Sequence, residues 1–296
     1  MTIIDFHTHI GDIINGFDVV VDPSGKPFKL FEFLYQKMGF QSPLPGTEPK
    51  WMRIPLAIEV QLRSAWGTQT RLLESIGQNE ISAAVVHPIE PKSDTAKIFN
   101  DAKAHKNLFV FASVDPKSSQ RINKLREYMA MGCRGLKLHP IIQRTSPEDI
   151  AYFEIIEEYQ KYGKPVLFHT GKFDYYIPRT RSTEYGRVEL FEKIISSFPK
   201  VNFVLGHTGL HTPGPAIVLA ERYKNVYLET SFQSKKSLKS IFARVDHSHI
   251  LFGSDWPCSF QAPHLKIMKK ATAANPSLAE RVFYRNAETL LGHQVI

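Results

Sequence analysis

The sequence predicts a (β/α)8 TIM barrel in a single domain spanning residues 1–296, and three observations predict it. Short apolar runs rich in β-branched residues and Phe recur eight times along the chain. Longer segments with helical spacing alternate with them. Eight such units in 296 residues suit a closed parallel barrel better than an open doubly wound sheet, which shows the same alternation.

The predicted strands occupy residues 2–9, 81–89, 108–115, 134–140, 165–170, 201–208, 226–231 and 250–256. Between them, residues 118–131 place Ile122, Leu125 and Met129 on one predicted helix face. Residues 148–162 space Ile150, Phe153, Ile156 and Tyr159 at three-residue intervals, with charges in the gaps. Residues 188–198 carry Leu190, Phe191, Ile194 and Ile195 in a helical pattern. Gly132, Gly163 and Pro199 stand where these helices should stop. Two stretches break the alternation. Residues 11–55 form an insertion after the first strand, rich in Gly, Pro and aromatics, which reads as a lid or a dimer contact. Residues 171–186 follow the fifth strand and carry Arg179 and Arg181. Both follow strand C-termini, the end where barrel active sites are built.

Composition narrows the function. A hydrophobic fraction of 43% with 22% charged residues is ordinary for a soluble globular enzyme. The net charge of +8 is dispersed, with Lys235-Lys236 and Lys269-Lys270 as isolated pairs. It reads as a solvated surface that can collect an anionic substrate, not as a nucleic-acid face. Two cysteines, Cys133 and Cys258, make no disulfide framework, and a reduced, cytoplasmic setting fits. No signal-peptide pattern opens the chain, and no apolar run approaches the ~20 residues of a membrane helix.

The strand ends carry the chemistry. The first ends in His7 and His9, which alternation points to the same side. The fourth ends Lys137-Leu138-His139-Pro140, the fifth in His169, the sixth in His207 and the eighth in Asp255-Trp256. One His-x-His is a weak signal, but four strands ending in His and one in Asp are hard to explain as core packing. Imidazoles and a carboxylate converging on one mouth suit Zn²⁺, with Fe²⁺, Mn²⁺ or Co²⁺ as competitors. Such a site activates water, and a nearby carboxylate can shuttle its proton. Arg144, Arg179 and Arg181 lie in loops above the mouth, either as solvated charge or as carboxylate-binding forks. His87 reads as a wall residue and Glu229 as a partner orienting a ligand His. Cys258 reads as structural; His211, His247, His249, His264 and His293 read as surface residues.

These motifs resemble the amidohydrolase superfamily, and within it the branch of aminocarboxymuconate-semialdehyde decarboxylase-like enzymes and lactonases. The resemblance spans nearly the whole chain and rests on Asp5-Phe6-His7-Thr8-His9, Gly135-Leu136-Lys137-Leu138-His139-Pro140, His169, His207 and Gly253-Ser254-Asp255-Trp256-Pro257. It implies that His7, His9, His169 and Asp255 hold one divalent metal, commonly zinc. Asp255 then doubles as general base, and His207, just outside the ligand set, is the second catalytic residue, holding the water or polarising the substrate carbonyl. In binuclear members a Lys at the place of Lys137 is carboxylated and bridges two metals. The branch resembled here is usually mononuclear, which leaves Lys137 as a substrate anchor and His139 as a strand cap that shares its face, with Lys137, His139, Arg179, Arg181 and Trp256 as the candidate substrate contacts. The implied activity is hydrolysis of an ester, lactone or amide in a small, anionic substrate. Non-oxidative decarboxylation of an unsaturated or aromatic acid is the alternative, and a non-catalytic ligand-binding barrel is the rival from another class. A homodimer is the assembly the resemblance suggests.

Overall fold

The computed structural model describes residues 1–14, 60–172 and 181–292, with Arg181 by its backbone alone. Most of the insertion at 11–55, together with Arg179 and His293, lies outside the described residues.

Among these residues the strands are β1 (Ile4–Thr8), β2 (Ala83–Val86), β3 (Leu108–Val110), β4 (Ala112–Ser113), β5 (Leu136–Leu138), β6 (Val166–His169), β7 (Phe203–Gly206), β8 (Val226–Glu229) and β9 (Ile250–Leu251). They pair in parallel as two ladders, β1-β2-β3 and β4 through β9 in sequence order. The predicted run 108–115 thus gives two strands where one was expected. The cause is a change of partner at Phe111, whose N–H donates to Val86 O at 3.0 Å while Ala112 N–H donates to Gly135 O at 2.8 Å. Gly135 is needed there, because a Cβ on it would stand 2.3 Å from the Phe111 ring. At the other junction Phe6 N–H donates to Phe252 O (2.9 Å), Asp255 N–H to His7 O (2.8 Å) and His9 N–H to Trp256 O (2.7 Å). The eight runs therefore close into a barrel.

Ile4, Phe6, Ala83, Val85, Phe109, Phe111, Leu167, Val204 and Leu251, drawn from strands around the ring, pack as one buried cluster. Ala287, Leu290 and Leu291 of the last helix, Asn286–Leu291, join that cluster and close one end. A larger core lies between strands and helices and includes Leu72, Leu125, Ile155, Ile194, Ile217, Leu238 and Met268. The helices start on side-chain caps such as Asp94, Asp149 and Ser234. Gly132 (φ 112°) and Gly163 (φ 62°) end theirs in the left-handed region.

The helix Ile150–Tyr159 corrects one expectation. Its buried residues are Tyr152, Ile155, Ile156 and Tyr159, whereas Ile150 is 69% exposed. A three-residue interval drifts around a helix of 3.6 residues per turn, so Ile150 and Tyr159 do not share a face. The segment 188–198 likewise buries Val188, Phe191, Ile194 and Ile195, leaving Leu190 half-buried, because it opens as a 3-10 turn, Val188–Phe191, before the α-helix Glu192–Ser197. His264, expected at the surface, is buried against the Phe232 ring, with its Nε2 at 2.9 Å from Ser259 Oγ. No helix among the described residues is long and apolar enough to cross a membrane.

Candidate metal centre

β1 delivers His7 and His9 together. A register shift between Asp5 and Thr8 re-phases the strand. Ile4 and Phe6 accordingly sit in the interior cluster, while both His rings gather at the mouth, their centroids 5.1 Å apart. Asp5 anchors the opposite side. It is fully buried and accepts from Ser254 Oγ (2.6 Å), Ser254 N (2.9 Å), Gln261 Nε2 (2.8 Å) and His7 N (3.3 Å), tying the first ligand strand to the last. Burial still pushes its carboxyl up to about 6.

Asp255 follows β9 in a left-handed conformation (φ 60°), and His207 follows β7 in another (φ 60°). Such residues cost of order 1 kcal/mol in backbone strain, and here neighbours hold both. Glu229 Oε2 accepts from His207 N at 3.0 Å, and Gln233 Nε2 donates to His207 O at 2.6 Å. Bonds to His7 O and from Ser259 N hold Asp255.

Three candidate ligand atoms converge. His9 Nε2 lies 3.0 Å and His7 Nε2 3.5 Å from Asp255 Oδ1. These ligand atoms of the buried His7, His9 and Asp255 all fall within 4.8 Å of one another. The other ring nitrogens face acceptors: His9 Nδ1 stands 2.6 Å from His87 O, and His7 Nδ1 stands 2.7 Å from Glu229 Oε2. Each Nδ1 therefore carries the hydrogen in the neutral ring, and each Nε2 presents a lone pair to the centre. At His9 that lone pair meets a carboxylate oxygen. Two acceptors facing one another call for a cation or a proton between them, so this donor set fits a divalent metal. His7, His207 and Glu229 form a second such group, but there Glu229 Oε2 serves as the acceptor behind His7.

Glu229 reaches over the neighbouring eighth strand run to His7 because Gly253 there has no side chain; a Cβ on it would stand 2.4 Å from Glu229 Oε1. Ser231, two residues on, donates to Glu229 Oε2 (2.9 Å), and its Oγ lies 2.6 Å from His207 Nδ1. Burial pushes the Glu229 carboxyl up to about 8. Burial likewise brings the Lys137 ammonium down to about 8, opposed by Asp255 and Glu229. Lys137 Nζ sits 3.0 Å from His7 Nε2. Burial, reinforced by Lys137, holds His7, His87 and His169 well below the ordinary imidazole range.

His169 reaches the mouth but does not face the trio. Its Nδ1 lies 3.1 Å from His207 Nε2 and its Nε2 lies 3.2 Å from Gly171 O. His139 stacks on His169, with centroids 4.0 Å apart and planes 13° apart. It caps the short helix Pro140–Gln143, not the strand. His87 is buried, with Nε2 at 2.8 Å from Phe6 O, and its main-chain carbonyl is what orients His9. Trp256 is fully buried in the core and packs near Trp66. Arg144 is exposed and ends the short helix Pro140–Gln143 in a left-handed conformation. Arg179 and the Arg181 side chain lie outside the description. Cys258 packs on the cluster of Ile13, Ile14 and Ile89. Sequence reasoning passed over Ser231 and Asp5. Each stands two residues from a named site residue on the same strand run, the spacing that found His7 and His9, so a signal was there. Gln143, which locks the His139 backbone, left none.

The family profile described as Amidohydrolase matches residues 4–293, so the chain belongs to the amidohydrolase family. Among curated proteins none matches the chain. Solved structures with the same fold include an uncharacterised TIM-barrel protein of Bordetella bronchiseptica (17% identity, 99% of each chain, TM-score 0.69). Another is the 5-carboxyvanillate decarboxylase LigW of Sphingomonas paucimobilis (14% identity, 99% of each chain, TM-score 0.67). A third is a dihydroxybenzoic acid decarboxylase of Polaromonas sp. JS666, solved with manganese and the inhibitor 2-nitroresorcinol (13% identity, 98% of this chain and 97% of that one, TM-score 0.64).

Proposed function

We propose that this amidohydrolase-family enzyme is a divalent-metal-dependent decarboxylase that releases CO₂ from a small aromatic or unsaturated acid. The observation that carries the metal requirement is the convergence of His7 Nε2, His9 Nε2 and Asp255 Oδ1 within 4.8 Å. The choice of reaction is supported by the decarboxylases among structures of the same fold, including one with bound manganese.

His7, His9 and Asp255 would hold one metal, most simply Zn²⁺ or Mn²⁺, with His169 completing the set after its ring turns from Gly171 O. When bound, the ion supplies a Lewis acid that orients substrate oxygens and stabilises charge on them. The chain's own groups do the rest. Glu229 and the His87 carbonyl keep His7 and His9 in the ligating tautomer. The Asp255 carboxyl, 11% exposed at the mouth, moves the proton. In decarboxylation Asp255, first protonated from solvent at the mouth, would give that proton to the carbon that bears the carboxylate; the C–C bond then breaks, CO₂ leaves and Asp255 returns to carboxylate. Lys137 balances negative charge in the pocket. Ser231 and Glu229 hold His207 against His169.

Hydrolysis of an ester, lactone or amide is the second reading. It uses the same trio, with Asp255 taking a proton from water, and a same-fold structure of a probable 2-pyrone-4,6-dicarboxylic acid hydrolase favours it.

Elemental analysis of untagged, chelator-free protein, paired with a screen of aromatic acids for CO₂ release and of lactones for acid release, tests both. About one transition metal per chain is expected, with turnover that a chelator abolishes and metal restores. About two ions per chain would instead indicate a carboxylated Lys137 bridging a pair. Protein that takes up no Zn²⁺ or Mn²⁺ would sink the metalloenzyme reading.

A further inference from the structure

The described mouth contains one ring whose orientation is set on three sides. His139 N–H donates to Gln143 Oε1 at 2.8 Å, and His139 Nδ1 accepts from Ile142 N at 3.2 Å. The ring face lies on His169 at 4.0 Å. Gln143 is itself immobilised. It is 2% exposed, donates through Nε2 to Glu90 O (3.0 Å) and Val114 O (2.8 Å), and accepts from Tyr152 Oη at 2.9 Å. The strand-run ends at Glu90, Val114 and His169 and two helices, Pro140–Gln143 and Ile150–Tyr159, thus fix a single imidazole.

With Nδ1 used as an acceptor, the ring hydrogen sits on Nε2. His139 is only 5% exposed, yet Nε2 has no hydrogen-bond partner among the described residues and is not among the solvent-sealed atoms that lack one. It is therefore a pre-oriented donor that opens on the mouth. Lys137, two residues earlier on the same strand, presents a buried ammonium to the same side. Groups that act on the His139 ring include the Lys137 ammonium and the imidazoles of His169, His207 and His9. A donor so placed wants a negatively charged oxygen.

We propose that His139 Nε2–H, beside Lys137, is a specificity-determining contact for a carboxylate or similarly charged oxygen of the substrate. The inference rests on the metal-dependent reading above for the net positive charge of the mouth. It adds that a fixed neutral donor on the fourth strand run selects the anion. The neutral N–H gives direction and Lys137 gives charge, which together distinguish an anionic substrate from its ester or amide.

The test uses benzoate as the probe and the full chain loaded with Zn²⁺. Titration by calorimetry, with the ring N–H resonances of ¹⁵N-histidine-labelled protein followed in parallel, compares the wild type with His139→Asn and His139→Gln. Asn keeps a helix-capping acceptor but cannot reach the mouth, whereas Gln can offer a donor farther out. We expect benzoate to shift the His139 Nε2–H signal, His139→Asn to bind benzoate about tenfold more weakly, and His139→Gln to recover part of that loss. Methyl benzoate should bind wild type and His139→Asn alike. Equal benzoate affinity in wild type and His139→Asn would overturn the proposal, as would an unmoved His139 signal or wild-type protein that ignores benzoate. Metal content on the same samples separates the two readings. Full metal without benzoate binding defeats this inference alone, while absent metal defeats the metalloenzyme reading and leaves the ring signal to judge His139. Loss of metal in His139→Asn would make the residue part of the metal site and overturn its assignment to substrate.

Discussion

The two ends of the barrel are made by the same strands and obey different rules. At the closed end, Ile4, Ala83, Phe109 and Leu251 meet Ala287, Leu290 and Leu291 of the last helix in a buried apolar cluster. At the mouth, the strand ends around the ring present His7, His9, Lys137, His169, Glu229 and Asp255, all buried. The apolar end asks only for volume and shape. The polar end needs a partner for each atom, and there His87 Nδ1 finds none among the described residues. Strained backbone also gathers at the mouth, at His207, Thr208, Leu210, Phe232 and Asp255. Stability is made at one end of each strand, and that stability carries the cost of the chemistry at the other.

The sharpest way to break this comparison is to show that the two ends do not separate. Asp255→Asn should remove most bound metal and all turnover while moving the melting temperature of the metal-free protein little; elemental analysis and chelated melts check it. Phe111→Ala should do the reverse. It deletes a fully buried ring packed edge-on to Phe6 at 5.8 Å and should cost about 3–5 kcal/mol in denaturant unfolding, with metal stoichiometry kept. If Phe111→Ala lost its metal while still folded, the division between ends would be wrong.

A subtler effect concerns Glu229. Its carboxyl, raised from 4.5 to about 8 by burial, binds a proton in the folded chain that the unfolded chain has released. Stability of metal-free protein should therefore fall as pH rises between about 4.5 and 8, by up to about 1.4 kcal/mol per pH unit from this group alone. Asp5 adds in the same direction, its window ending near 6. Lys137, lowered from 10.5 to about 8, has the opposite sign, adding stability as pH rises above about 8. Glu229→Gln should flatten the slope and weaken metal binding about tenfold, since Gln can still accept from His7 Nδ1 but no longer polarises the ring. An unchanged slope in pH-dependent melts would remove Glu229 from this account. The smallest effect belongs to the outer surface. Arg244→Ala breaks a two-pronged pair with Glu221 (2.8 and 2.6 Å) that is open to solvent, and melts should not resolve the change.

How much of this was legible beforehand varies by residue. Alternation along β1 placed His7 and His9 on one side, and the strand-end positions of His169, His207 and Asp255 marked the mouth. Helix stops at Gly132 and Gly163 could be read because a left-handed turn favours glycine. The exposed Ile150 and the buried His264 could not, because both depend on what each face meets. The division of the third strand run at Phe111 depends on which neighbour supplies the next carbonyl.

The sequence by itself determined the alternation of strands and helices, the family and the residue types at the mouth, because these follow from local periodicity and short motifs. Only the tertiary structure decided which nitrogen of each histidine is free. For the two histidines of β1 that choice is made by atoms remote in sequence: the His87 carbonyl behind His9 and Glu229 behind His7. A ring's tautomer is set by what stands on its far side, and no spacing along one strand can specify that.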